Sequence, residues 1–228
     1  MIRGVIFDID NTLTDFMRTK RMAVDVAVEM MIDAGLKVDK TAFVEKIFEL
    51  YWKEGVEDQR IFDKILQKEF GRIDIKILAA GIVGYRRSKA GSLALYPHVT
   101  VTLFELLKMG IRSTVLSDAP KLEVWLRIVG LGIHNYFDHV IASEDYGVKK
   151  PDQIPFRKAL EVLGTKAEET LMVGDWPDRD IVGAKKIGLK TAWAKYGDTF
   201  DTKESGADYE LGDIIELVDI IKKENGLA

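Results

Sequence analysis

Apolar positions along the chain fall into two textures. Over 16–34 they recur at helical spacing (Phe16, Ala23, Val26, Ala27, Met30, Ala34), and Gly35 supplies a stop. Asp39-Lys40-Thr41 opens a second predicted helix to about residue 54, and 57–70 and 73–87 read as two more, set apart by Gly55 and Gly71. Residues 16–92 thus hold helices and no convincing strand. The rest alternates: predicted strands at 1–9, 111–116, 137–142, 170–173 and 191–194 take turns with helices at 99–109, 121–129, 155–163 and 181–187. The tail adds a short strand or turn near Tyr209 and a helix over 213–224. Strands alternating with helices predict an α/β fold, a parallel sheet wound on both faces, with an all-helical insert after the first strand.

Composition narrows the class. With 228 residues, 47% of them hydrophobic, the chain can bury a core in one or two domains. No apolar run reaches the roughly 18 residues of a membrane span, and the first residues enter a strand with no signal-peptide pattern, so a cytoplasmic protein is expected. The absence of cysteine excludes disulfides, thiolate metal sites and a cysteine nucleophile. Thirty-three basic against 37 acidic residues, spread along the chain, offer no basic patch for nucleic acid, and the expected partner is a small molecule. Three Asn and three Gln among 31% charged residues match the balance of proteins from hot environments.

The candidate chemistry starts at the first strand. Val5-Ile6-Phe7 runs into Asp8 and Asp10, and residues spaced i and i+2 on a strand share a face, so both carboxylates point into one crevice. At the carboxyl ends of strands in an open α/β sheet, that crevice is where ligands bind. Ser117 stands at the tip of the next strand, Lys150-Pro151-Asp152 follows, and Gly174-Asp175 ends a fourth strand.

Asp8-Ile9-Asp10-Asn11-Thr12 with Ser117, Lys150-Pro151 and Gly174-Asp175, in that order, resembles the four motifs of the haloacid dehalogenase superfamily, in its subfamily I with a helical C1-type cap and its phosphatase branch. The resemblance spans nearly the whole chain. It implies a Rossmann-like catalytic core of residues 1–15 and 93–228 and a helical cap of 16–92 that closes over substrate from hinges near 15 and 93. It further implies a magnesium-dependent phosphatase acting on a small phosphorylated metabolite such as a sugar or triose phosphate. Asp8 would be the nucleophile, since a carboxylate attacking phosphorus divides one difficult hydrolysis into two steps. Asp10 would be the general acid and base, and two carboxylates this close tend to divide such work. Relatives that cleave carbon–halogen bonds lack that second acid, so its presence argues for phosphoryl transfer. Ser117, Asp118 and Lys150 would bind the phosphoryl group. Asp8, the main-chain carbonyl of Asp10 and Asp175 would ligate Mg²⁺, with Asp180 behind them or holding a metal water.

Other readings stay open on the sequence. A phosphomutase uses the same four motifs, and a phosphorylation receiver also combines Asp, Ser or Thr, and Lys, although its aspartate lies on a middle strand and it has no cap. Asp178 reads as a helix-start residue. Trp176-Pro177 departs from the small or polar residues expected there, the ring either narrowing an entrance or stacking on substrate, or else packing under the cap. His98, His134 and His139 show no metal spacing. Lys53, Arg60, Arg86 and Arg87 could reach substrate or form a solvated face.

Overall fold

The computed structural model describes residues 1–227. The chain divides into two compact units, Met1–Asp15 with Ala94–Ala228, and Phe16–Leu93.

In the first unit six strands form one parallel sheet: β1 (Gly4–Phe7), β2 (Arg112–Ser117), β3 (His139–Ala142), β4 (Thr170–Gly174), β5 (Lys190–Ala194) and β6 (Tyr209–Leu211). Their spatial order is β3-β2-β1-β4-β5-β6, that of a doubly wound dinucleotide-type fold. β1 is central, paired with β2 on one side and β4 on the other, and the order reverses between β1 and β4. The ladder runs past the ends of β1: Arg3 N–H donates to Glu169 O at 2.8 Å and Asp8 N–H to Val173 O at 2.9 Å.

Period-two alternation decides which residues meet which layer. Val5 and Phe7 of β1, Val115 of β2, and Leu171 and Val173 of β4 face one side. They pack there with α5 (Val99–Lys108), α6 (Lys121–Gly130) and α9 (Glu216–Glu224). Ile6, Leu116 and Met172 face the other side, under α7 (Gln153–Leu163) and α8 (Val182–Lys185). A sheet covered on both faces needs apolar residues at every strand position, which is why these strands read as continuous apolar runs.

The second unit is α1 (Phe16–Asp33), α2 (Lys40–Glu54), α3 (Ile61–Phe70) and α4 (Ile75–Ser92) around Val24, Ala27, Val28, Met31, Ile47, Phe48 and Ile65. Two of its helices start on aspartate caps: Asp39 of α2 accepts from Ala42 N–H, and Asp74 of α4 from Lys76 and Ile77 N–H. The helix expected from residue 57 begins at Ile61 instead. Gly55 closes α2, and the Asp58 carboxylate takes the N–H of Arg60 at 2.7 Å, a local side-chain bond that competes with helix. α4 runs further than the pattern suggests, to Ser92, and Gly84 lets it lie against α1: a Cβ there would stand 3.0 Å from Val26 O and 3.1 Å from Ala27 Cα.

Candidate active site

Each strand expected to carry a site residue ends on one edge of the sheet, and the crevice at the β1/β4 reversal receives their side chains. Asp8 leaves β1, Asp175 leaves β4, and both are buried, as are Ser117, Lys150 and Asp180. After Asp8 the chain makes a tight turn. Asn11 N–H donates to Thr14 O at 2.8 Å, and Asn11 takes φ +57°, a left-handed conformation that asparagine tolerates.

Lys150 is the hub. Its Nζ donates to Asp8 Oδ1 at 2.5 Å, to Asp180 Oδ1 at 2.6 Å and to Leu116 O at 3.2 Å. Its own N–H donates to Asp118 Oδ1 at 2.9 Å, and Asp118 Oδ2 accepts from Arg179 Nη1 at 3.3 Å. Both Asp118 oxygens are thus engaged within the protein, Oδ1 bracing the lysine's backbone and Oδ2 the Arg179 side chain. The Ser117 hydroxyl accepts from Ala119 N–H at 3.2 Å and shapes the turn after β2.

Gly174 lets the acidic loop fold back on itself. A Cβ at that position would lie 2.4 Å from the Asp180 carboxylate. Pro177–Ile181 makes a π-helical turn with Asp178 in its first turn, and Asp180 Oδ2 accepts from Trp176 N–H at 3.1 Å. The longer reach of that turn brings residue 180 back over the strand end while Asp178 faces solvent. The Trp176 ring has the Arg179 guanidinium 3.6 Å from its centroid and Phe200 at 4.4 Å.

Asp175 is held by Trp193, which the sequence does not single out, and by Thr12 of the first motif. Its carbonyl accepts from Trp193 Nε1 at 2.9 Å, and its Oδ1 accepts from Thr12 Oγ1 at 3.3 Å. Tyr196 in turn donates its hydroxyl to Thr12 O at 2.7 Å, and Gly197 lies so close to the turn that a Cβ would stand 1.6 Å from Asn11 O. Arg127 was missed as well: buried on α6, its Nη1 donates to Asp10 Oδ2 at 3.1 Å. A charged residue at an inward helical position, beside Val124 and Ile128, is the signal that would have found it.

Oxygens of Asp8, Asp175 and Asp180 lie within 4.8 Å of one another. Burial pushes the Asp8 carboxyl up to about 8 against the pull of Lys150, and burial with the charge of Asp8 raises Asp175 well above its ordinary value. Asp180 is raised too, by burial. Burial works against the charge of Lys150, but Asp180, Asp8 and Asp118 outweigh it and hold the amine protonated. One ammonium among three buried carboxylates leaves a deficit of positive charge. An all-oxygen donor set with that deficit fits a hard divalent cation. Asp10, expected to give its carbonyl, turns its carboxylate toward Arg127.

An open parallel sheet with an acidic, lysine-bearing crevice at its topological switch point defines an α/β enzyme that handles an anionic ligand. A family model of haloacid dehalogenase-like hydrolases matches residues 5–194, and the chain belongs to that family. Glyceraldehyde 3-phosphate phosphatase of Methanocaldococcus jannaschii is 38% identical over 97% of this chain and 98% of its own length. The protein of that name from Pyrococcus furiosus is 34% identical over 99% of this chain and 95% of its own length. In fold the chain is similar to the crystal structure of a HAD phosphatase from Thermococcus onnurineus, with a TM-score of 0.72, 23% identity, and coverage of 96% of this chain and 98% of that one. Among the described residues no helix is long and apolar enough to cross a membrane.

Proposed function

We propose that this hydrolase removes the phosphoryl group from a small phosphorylated metabolite of the triose phosphate class, using magnesium and a phosphoaspartate on Asp8. The chain is a phosphoric monoester hydrolase, in keeping with the names of its relatives. The observation that carries the reaction is the contact of Lys150 Nζ with Asp8 at 2.5 Å inside a buried carboxylate cluster at the switch point. The names of the relatives support glyceraldehyde 3-phosphate as the first substrate to try.

Asp8 and Asp175 would hold the cation with the carbonyl of Asp10, and Asp180 would support it through a water. When bound, it supplies positive charge to the phosphoryl oxygens and keeps Asp8 ionised. Asp8 Oδ then attacks phosphorus, the bond to the leaving oxygen breaks, and Asp10 delivers its proton to that oxygen. Lys150 offsets charge on the phosphoryl group as it transfers. In the second half Asp10 takes a proton from water, the water oxygen bonds to phosphorus, and the phosphorus–Asp8 bond breaks to release phosphate. Asp10 thereby regains the proton it gave.

The test is release of inorganic phosphate from glyceraldehyde 3-phosphate and a panel of small phosphate esters, with magnesium and with EDTA. Turnover that EDTA abolishes and magnesium restores is expected. Full activity in EDTA would remove the cation from the proposal, and no release from any ester would overturn the phosphatase reading.

A further inference from the structure

Arg127 is 2% exposed, yet it sits on the apolar face by which α6 packs on the sheet, between Val124 and Ile128. Its Nη1 lies 3.1 Å from Asp10 Oδ2. Stability alone does not call for a charge there. Replacing a buried ion pair with apolar side chains of similar volume is often neutral or stabilising.

We propose that Arg127 is a positioning residue that fixes the carboxylate of Asp10 for proton transfer, an inference that rests on Asp10 being the acid and base described above. Asp10 stands on a short turn, and its side chain has two torsions through which to swing. The guanidinium reaches it from a helix anchored in the core, so the contact ties a turn residue to a rigid element. It assigns Oδ2 to the arginine and so fixes the orientation of the carboxylate. A general acid must place its proton within about 2.6–3.2 Å of the leaving oxygen, and a displacement of about 1 Å costs on the order of 10²-fold in rate. α6 follows directly on Ser117-Asp118-Ala119-Pro120, so the segment that presents Ser117 also carries this arginine. A lysine would bring the charge without the planar fork, and so would hold Asp10 less firmly.

The test compares wild type with R127M, R127K, D10N and the double variant D10N/R127M on glyceraldehyde 3-phosphate and on p-nitrophenyl phosphate. The aryl ester needs little protonic help to leave, whereas the alkyl ester depends on it. R127M should lose about 10²-fold in kcat on the triose phosphate, with KM little changed, and clearly less on the aryl ester. R127K should recover part of the loss. The double variant should lose little beyond D10N, because the arginine acts through Asp10. Equal losses on both esters for R127M and R127K, or fully additive losses in the double variant, overturn the proposal. If R127M does not fold, R127K and its cycle with D10N decide by the same criteria. D10N read alone separates the two levels of inference. Equal losses on both esters for D10N would defeat the acid role itself, whereas a selective loss for D10N with a non-selective one at position 127 defeats only the positioning role.

Discussion

Asp8 is asked to be two things at once, a buried acid and a nucleophile, and the surroundings decide between them. In the metal-free protein burial raises it to about 8 from an ordinary 3.8, so between those values the folded state holds a proton that the unfolded state has lost. Its contribution to stability is therefore full below 3.8 and falls as pH rises toward and through 8. The acids lowered by surface partners, Asp58, Asp145, Asp208 and Glu224, change charge below their ordinary values of 3.8 to 4.5, and so outside the range from pH 5 to pH 8. Calorimetry of the metal-free protein should show its midpoint falling from pH 5 to pH 8, and D8N should flatten the slope. Magnesium should raise the midpoint more at pH 8 than at pH 6, because at the lower pH it must displace a proton. A magnesium effect larger at pH 6 would contradict this account. D8N also lacks a competent nucleophile, so rapid-quench trapping should find no phosphoenzyme on any ester; any trapped aspartyl phosphate would move the nucleophile elsewhere.

At the scale of elements, close approach is a property of particular glycines, and α4 allows two of them to be compared. Gly84 lies against the backbone of α1, whereas Gly91, near the end of α4, would place a Cβ in open space. G84A should destabilise by about 1–3 kcal/mol through overpacking. G91A should stabilise by roughly 0.5–1 kcal/mol, the ordinary gain of alanine over glycine in a helix. Urea unfolding of both variants checks the signs, and two changes in the same direction would mean that the α1–α4 contact is not what the glycine serves.

For the whole molecule the expectation is heat stability. Asn, Gln and Cys, the residues that heat damages, are scarce or absent, and close relatives come from archaeal thermophiles. Ion pairs also link separate helices: Lys40 of α2 meets Asp25 of α1 at 2.8 Å and Glu29 at 3.2 Å, and Lys64 of α3 meets Glu54 of α2 at 2.7 Å and Asp58 at 2.6 Å. Such exposed networks are worth little near 25 °C and gain as charge hydration weakens with temperature. The unfolding midpoint should lie above the mesophile range of about 45–65 °C and fall when salt screens the pairs. A midpoint inside that range would count against the reading.

What the sequence determined by itself was whatever a local period or a spaced motif encodes. Apolar runs marked the strands from Val5-Ile6-Phe7 to Leu171-Met172-Val173, helical spacing marked the block after Asp15, and together they gave the doubly wound class, because burial on one or both faces writes itself directly into residue order. The positions of Asp8, Ser117 and Asp175 at strand tips followed from the same pattern, and Lys150 from its place in a loop before a helix. Only the tertiary structure decided what those residues touch. Lys150 reaches Asp8 across 142 positions of chain, Trp193 caps the carbonyl of Asp175, Tyr196 holds Thr12, and Arg127 meets Asp10 across 117 positions. None of these pairs has a spacing that a periodic reading can register, since each is set by how strands stack in the order β2-β1-β4-β5 and by which helix lies over them. The place of Asp180 has the same origin. A π-helical turn differs from an α-helical one by a single residue of reach, and packing of Asp180 against Gly174 and Lys150, not local propensity, selects it.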